Sequence, residues 1–124
     1  MARILLAEDE EALRAFVARA LAQDGHEVVA TADGGEALDV RTRDKGRFDL
    51  LLTDIRMPVM DGIALALAAA RDYPELMILL MTGYADQRER AHGLDALIHD
   101  VIAKPFSLTD IRKAVNGALV ARGR

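Results

Sequence analysis

The chain has 124 residues, 16 basic and 20 acidic side chains, a net charge of −4 and no cysteine. That length fits one domain, 1–124; the missing cysteine excludes a disulfide framework, a thiolate metal site and a thiol nucleophile; the mild negative charge argues against nonspecific binding to nucleic acid or a membrane surface. No apolar stretch approaches the ~18 residues that a membrane-spanning helix needs, and acidic residues arrive by position 8, too early for a signal peptide, so the expected location is the cytoplasm.

The pattern alternates short apolar runs with amphipathic segments. Residues 2–7 predict a first strand, ending in Glu8-Asp9. Leu13, Phe16, Val17, Ala20 and Leu21 recur at helical spacing and predict a helix closed near Gly25. Glu27–Thr31 predicts strand two, followed by a helix from about Gly35 to Asp44 with Asp33 as its cap. Phe48–Thr53 predicts strand three, which runs into Asp54 and then a Pro- and Gly-containing loop. Asp61-Gly62 enters a third helix carried by Ile63, Ala66, Leu67 and Ala70 and ended by Tyr73-Pro74.

Leu76–Met81 predicts strand four, ending in Thr82-Gly83. Residues 85–95 predict the least stable helix, because Gly93 interrupts a thin apolar stripe. Leu97–Ala103 predicts strand five, ending in Lys104-Pro105. Ser107 and Asp110 have the spacing of a capping box ahead of a last helix with Leu108, Ile111, Val115, Ala118 and Leu119 on one stripe. Five β-α repeats imply an α/β fold: a parallel sheet with helices on both faces and right-handed crossovers.

In open sheets of this kind, ligands sit outside the carboxyl ends of the strands. Glu8, Asp9, Asp54, Thr82 and Lys104 all fall at such ends, and they converge if strands one, three, four and five are neighbours. Strand two ends without a comparable group, as an edge strand would. Carboxylates crowded into one crevice repel: a pair ~4 Å apart costs on the order of 4 kcal/mol at an effective dielectric near 20. One lysine relieves this only in part. Oxygen ligands without histidine or cysteine point to Mg²⁺, which keeps waters and binds phosphate oxygens. His26, His92 and His99 are scattered and lack metal-ligand spacing, and Asp61-Gly62 reads as a cap and tight turn. Tyr84 falls near the mouth of the site.

With these motifs in order, the chain resembles the receiver domains of two-component response regulators along essentially its whole length. The matching motifs are Glu8-Asp9, the segment Asp54-Ile55-Arg56-Met57-Pro58-Val59-Met60-Asp61-Gly62, Thr82-Gly83 and Lys104-Pro105-Phe106. The resemblance implies a doubly wound, flavodoxin-like (βα)5 sheet of order 2-1-3-4-5. It implies that Asp54 accepts a phosphoryl group from a sensor histidine kinase or a histidine phosphotransfer protein. Asp9, Asp54 and the backbone carbonyl of Arg56 would bind Mg²⁺, with Glu8 acting through water. Lys104 would pair with the phosphoryl group, Thr82 would hydrogen-bond it, and the Lys104-Pro105 bond would be cis.

Such a chain is expected to be a phosphorylation-controlled switch rather than a turnover enzyme. With no output domain in the sequence, it would signal to a downstream protein through the face formed by the 85–95 helix, strand five and the last helix. A phosphorelay shuttle is the alternative. A Mg²⁺-dependent phosphatase with an aspartyl nucleophile ranks last, because it would want a second carboxylate where Arg56 stands. Two departures from the family pattern matter. Val101 occupies the position of a frequent Tyr or Phe, and Arg56 that of a small or polar residue. The segment Ile4 to Glu10 and Val101 are most similar to cell-cycle receivers that act as protease adaptors.

Overall fold

The computed structural model describes residues 2–43, 47–83, 94 and 96–123. Its elements are β1 (Arg3–Ala7), α1 (Glu11–Gln23), β2 (Glu27–Thr31), α2 (Gly34–Arg43), β3 (Leu50–Asp54), α3 (Gly62–Asp72), β4 (Met77–Thr82), β5 (Asp100–Ala103) and α4 (Leu108–Arg122). The strands form one five-stranded sheet in the order β2-β1-β3-β4-β5, with every pairing parallel. The helix expected over 85–95, with Tyr84 and His92, lies outside the described residues except for Leu94.

The apolar runs read as continuous because the central strands are buried on both faces. Side chains alternate across the sheet. Ile4, Leu6, Leu50, Leu52, Leu79 and Met81 pack beneath Val17 and Leu21 of α1 and Ile111 and Val115 of α4. Leu5, Leu51, Ile78 and Leu80 face the other way, toward Ala37 of α2 and Leu65 and Ala69 of α3. Val101 is partly buried on this second side and pairs with Leu80 in the β4–β5 register.

The predicted caps form. Asp33 Oδ1 accepts from the Glu36 N–H at 2.8 Å, Asp61 Oδ1 from the Ala64 N–H at 2.8 Å, and Ser107 and Asp110 bond reciprocally. Gly25, with φ 89°, follows the end of α1.

Several boundaries and one helix face differ from the sequence reading; β3 begins at Leu50 and not Phe48, and β4 spans Met77–Thr82 and not Leu76–Met81. Strand five begins at Asp100 and not Leu97, because the Leu97 and Ile98 N–H groups turn back to the Leu94 carbonyl and the ladder starts with His99 N–H to Ile78 O. Asp54 is the last residue of β3, paired with Met81, and not the first residue beyond it. The stripe expected on α1 is buried at Val17, Ala20 and Leu21 and misses only at Phe16, whereas the buried arc of α3 is rotated from the expected stripe. Phe16 is 43% exposed and Leu67 44%, while Leu65 and Ala69 take the inner positions of α3.

Candidate functional site

β1, β3, β4 and β5 end side by side, so the residues at their carboxyl ends meet. The β1 ladder stops at Ala7, paired with Thr53, and Glu8 follows. Its N–H bonds the Thr31 carbonyl of β2 at 3.1 Å, which turns the side chain inward; Glu8 has no exposed surface. Asp9, next along, reaches solvent. Asp54 is 6% exposed and Thr82 3%. Lys104 follows β5, its N–H donating to the Thr82 carbonyl at 2.7 Å, and its bond to Pro105 is cis.

The lysine joins the carboxylates. Lys104 Nζ donates to Glu8 Oε1 at 2.8 Å and to Asp54 Oδ2 at 3.0 Å. Glu8, Asp9 and Asp54 each offer an oxygen, all within 4.8 Å of one another. A donor set of carboxylate oxygens this tight suits a hard divalent cation such as Mg²⁺. These groups form the floor of a cleft of about 850 Å³, walled by Leu13, Met57, Pro58 and Phe106, with Arg56 and Gly83 also lining it. Arg56 is exposed. Thr82 is buried at the end of β4, and Gly83 supplies the cleft surface there.

Electrostatics follow the geometry. The Asp9 carboxyl is raised above its ordinary 3.8. Although Asp9 reaches solvent, nearby protein strips part of its hydration, and the hydrogen bond and negative charge of Glu8 push in the same direction. For Lys104, burial opposes the charge, but the hydrogen bonds and charges of Glu8 and Asp54 outweigh it, and the ammonium is held above its ordinary 10.5.

The loop after Asp54 is shaped by close backbone approaches. The Gly62 N–H donates to the Ile55 carbonyl at 2.7 Å. A Cβ on Gly62 would lie 2.0 Å from the Asp54 carbonyl oxygen, and one on Gly34 would lie 1.9 Å from that of Met60. The Met60 N–H bonds the Pro58 carbonyl across Val59, a γ-turn in which Val59 has φ 71°.

The structure thus brings together Glu8, Asp9, Asp54 and Lys104, places Arg56 on the rim and Thr82 behind it. Sequence reasoning missed Arg14, whose Nη1 donates to the Glu8 carbonyl at 2.9 Å. Nothing in the sequence marks it beyond its place early in α1.

Comparison with known proteins identifies the family and the fold. The family model for the response regulator receiver domain matches residues 4–116. The response regulator receiver protein CpdR of Brucella abortus (strain 2308) is 39% identical over 121 residues, covering 98% of this chain and 99% of its own. The response regulator MprA of Mycobacterium leprae is 35% identical over 117 residues, but the chain spans only 50% of its length. A CheY-like receiver domain from Methanospirillum hungatei superposes with a TM-score of 0.89 at 28% identity, covering 99% of this chain and 97% of that one. TrrA of Thermotoga maritima, solved in complex with Mg²⁺-BeF, superposes with a TM-score of 0.83 at 27% identity, covering 96% of this chain and 100% of that one. Receiver domains serve phosphorylation-controlled signalling and bind Mg²⁺ at an acidic pocket, and this chain, matched over residues 4–116, belongs to the response regulator receiver domain family of two-component signal transduction.

Proposed function

We propose that Asp54 is the phosphoacceptor of a Mg²⁺-dependent switch, phosphorylated by a phosphohistidine on a sensor histidine kinase or phosphotransfer protein. The observation that carries this is the Asp54 carboxylate at the floor of an open cleft, with Lys104 Nζ 3.0 Å from its Oδ2 and two further carboxylates beside it. In the transfer, an Asp54 oxygen attacks phosphorus, the P–N bond breaks, and the imidazole leaves with its electron pair. Such a step needs in-line positioning and charge neutralisation more than covalent help. Asp9, Asp54 and the backbone carbonyl of Arg56 would hold Mg²⁺, with Glu8 acting through water. When bound, the ion offsets the negative charge of carboxylates and phosphoryl oxygens. Lys104 follows the charge from Glu8 toward the phosphoryl group, and Thr82 hydrogen-bonds it.

Output would pass to a downstream protein through the side of the sheet that ends in β5. A groove of about 580 Å³ along β5 and α4, lined by Val101, Pro105 and Lys113 among others, supports that face. Its remaining part, over 85–95, lies outside the described residues except for Leu94. The enzyme alternative finds little support, since Arg56 stands where an aspartyl-nucleophile phosphatase would place a second carboxylate.

The test is incubation with acetyl phosphate and Mg²⁺, read by intact mass. One phosphoryl adduct is expected on the native chain and none on Asp54→Asn. An adduct that survives Asp54→Asn would move the acceptor elsewhere, and no adduct from either acetyl phosphate or a phosphorylated kinase would end the switch reading. Partner capture with and without beryllium fluoride then separates a binding module from a relay.

A further inference from the structure

We infer that Arg14 is a positioning residue for the acidic turn: its guanidinium fixes the Glu8 carbonyl and so sets the direction in which Asp9 presents its carboxylate. This rests on the Mg²⁺ reading above. Four polar groups of Glu8 are each held by a different neighbour. Its N–H goes to Thr31 O, its Oε1 accepts from Lys104 and its Oε2 from the Glu10 N–H at 3.1 Å, and its carbonyl accepts from Arg14 Nη1 at 2.9 Å.

The first three bonds fix the Glu8 nitrogen and side chain. The fourth acts on the Glu8–Asp9 peptide plane, which lies beyond the end of the β1 ladder. A peptide plane outside a ladder is free to tilt, and tilting it swings the Cα–Cβ bond of the following residue. Asp9 is that residue, and it is the solvent-facing member of the cluster. Arg14 is well placed for the task. Its own N–H is tied to the Glu10 carbonyl at 2.9 Å, and its side chain is half-buried at the mouth of the turn. A guanidinium donor makes the bond charge-assisted, stronger than a neutral one.

Charge and positioning predict opposite results. A cation bonded to the Glu8 carbonyl, next to the acidic cluster, repels Mg²⁺, so if Arg14 acted only as charge, removing it would tighten Mg²⁺ binding. If it positions Asp9, removing it weakens binding even though a repulsive charge has gone. Groups that orient metal ligands from behind typically change metal affinity by 10- to 100-fold.

The experiment compares the full chain with Arg14→Met and Arg14→Lys. Mg²⁺ affinity is measured by calorimetry, and amide shifts are recorded on the metal-free proteins. Met is expected to weaken Mg²⁺ binding by roughly 10-fold, to shift the Asp9 and Glu10 amides in metal-free spectra, and to leave the rest of the spectrum and cooperative unfolding in place. Lys, which keeps a cationic donor, is expected to recover most of the affinity. Unchanged or tighter binding by Arg14→Met, or equal loss in both variants, overturns the role. If the native chain itself takes up no Mg²⁺, the proposed function fails, and the metal-free spectra still decide on Arg14: unmoved Asp9 and Glu10 amides in Arg14→Met reject it.

Discussion

Lys104 Nζ lies 2.8 Å from Glu8 Oε1, a carboxylate with no exposed surface. The pair closes one side of the acidic cluster, and the same ammonium reaches Asp54. Burying Glu8 is tolerable because the cation is there.

Replacing Lys104 by Met therefore leaves a buried carboxylate without its partner. The lysine side chain is 21% exposed, so the loss should be on the order of 2–4 kcal/mol, toward the lower part of the range for broken buried pairs. Excess Mg²⁺ should restore part of it by supplying another cation to the cluster. Urea unfolding with EDTA and with Mg²⁺ checks both statements; equal losses in the two conditions would argue against a shared site.

The same pair predicts an alkaline limit. The folded-state pKa of Lys104 is raised, so its contribution to stability is fully present below the ordinary 10.5 and is lost as pH rises through the higher folded value. The stability gap between the native chain and Lys104→Met should hold constant up to that region and then shrink. A gap that narrows near neutral pH would mean that burial, not pairing, dominates the ammonium. Asp9 carries the opposite sign. Its raised carboxyl costs stability in its charged form, and that cost disappears as the pH falls through the raised value toward 3.8.

Gly62→Ala should be severe. Its Cβ would sit 2.0 Å from the Asp54 carbonyl oxygen and 2.8 Å from the carbonyl carbon. Both are backbone atoms in a central strand, so relief must come from moving the end of β3 or the start of α3. A loss of about 3 kcal/mol is expected, with a lower yield of acetyl phosphate adduct. A variant melting like the native chain would disprove the contact.

Val59→Gly should stabilise. Val59 is β-branched, has φ 71° and is 86% exposed, so it bears the strain of the left-handed region with little burial in return. Relief of roughly 1–2 kcal/mol is partly offset by the roughly 0.5–1 kcal/mol of extra freedom that glycine has when unfolded. The net gain should be on the order of 0.5–1 kcal/mol, read as a higher melting temperature. A lower one would show that Val59 does more than bridge the turn.

Arg56→Asn should shorten the phosphoryl half-life several-fold. Arg56 is exposed on the rim of the cleft, two residues past Asp54, where a guanidinium is able to cover the approach of water to an acyl phosphate. Decay of the adduct followed by mass checks this, and an unchanged half-life would sink the idea.

Much of this was readable from the chain because parallel strands buried on both faces leave continuous apolar runs, and such a sheet collects their carboxyl ends at one edge. Asp54, Lys104 and Glu8-Asp9 could be put at strand ends on that basis, and the strand order implied by the resemblance brought those ends together. Element edges were less legible. Leu97 and Ile98 are as apolar as strand residues, yet their N–H groups close a turn, and only the neighbouring β4 decides where pairing begins. The face of α3 was equally hard to read: Leu67 satisfies a helical stripe, but Leu65 and Ala69 are the residues that pack on the sheet. Glu8 is completely buried, and its side-chain partner Lys104 is 96 residues away in sequence, a contact that no local pattern encodes.

The two glycines at positions 34 and 62 bracket the segment between Asp54 and α3, each pressed against one of its carbonyls, Met60 and Asp54 respectively. Any added carbon at either position collides with main chain. Between them, Arg56, Pro58 and Val59 point outward. A saturation library across 34–62 should therefore return glycine alone at the two ends and broad tolerance at 56 and 59. The path of the loop is then fixed by what is absent from it, while its outer side chains remain open to divergence among related chains.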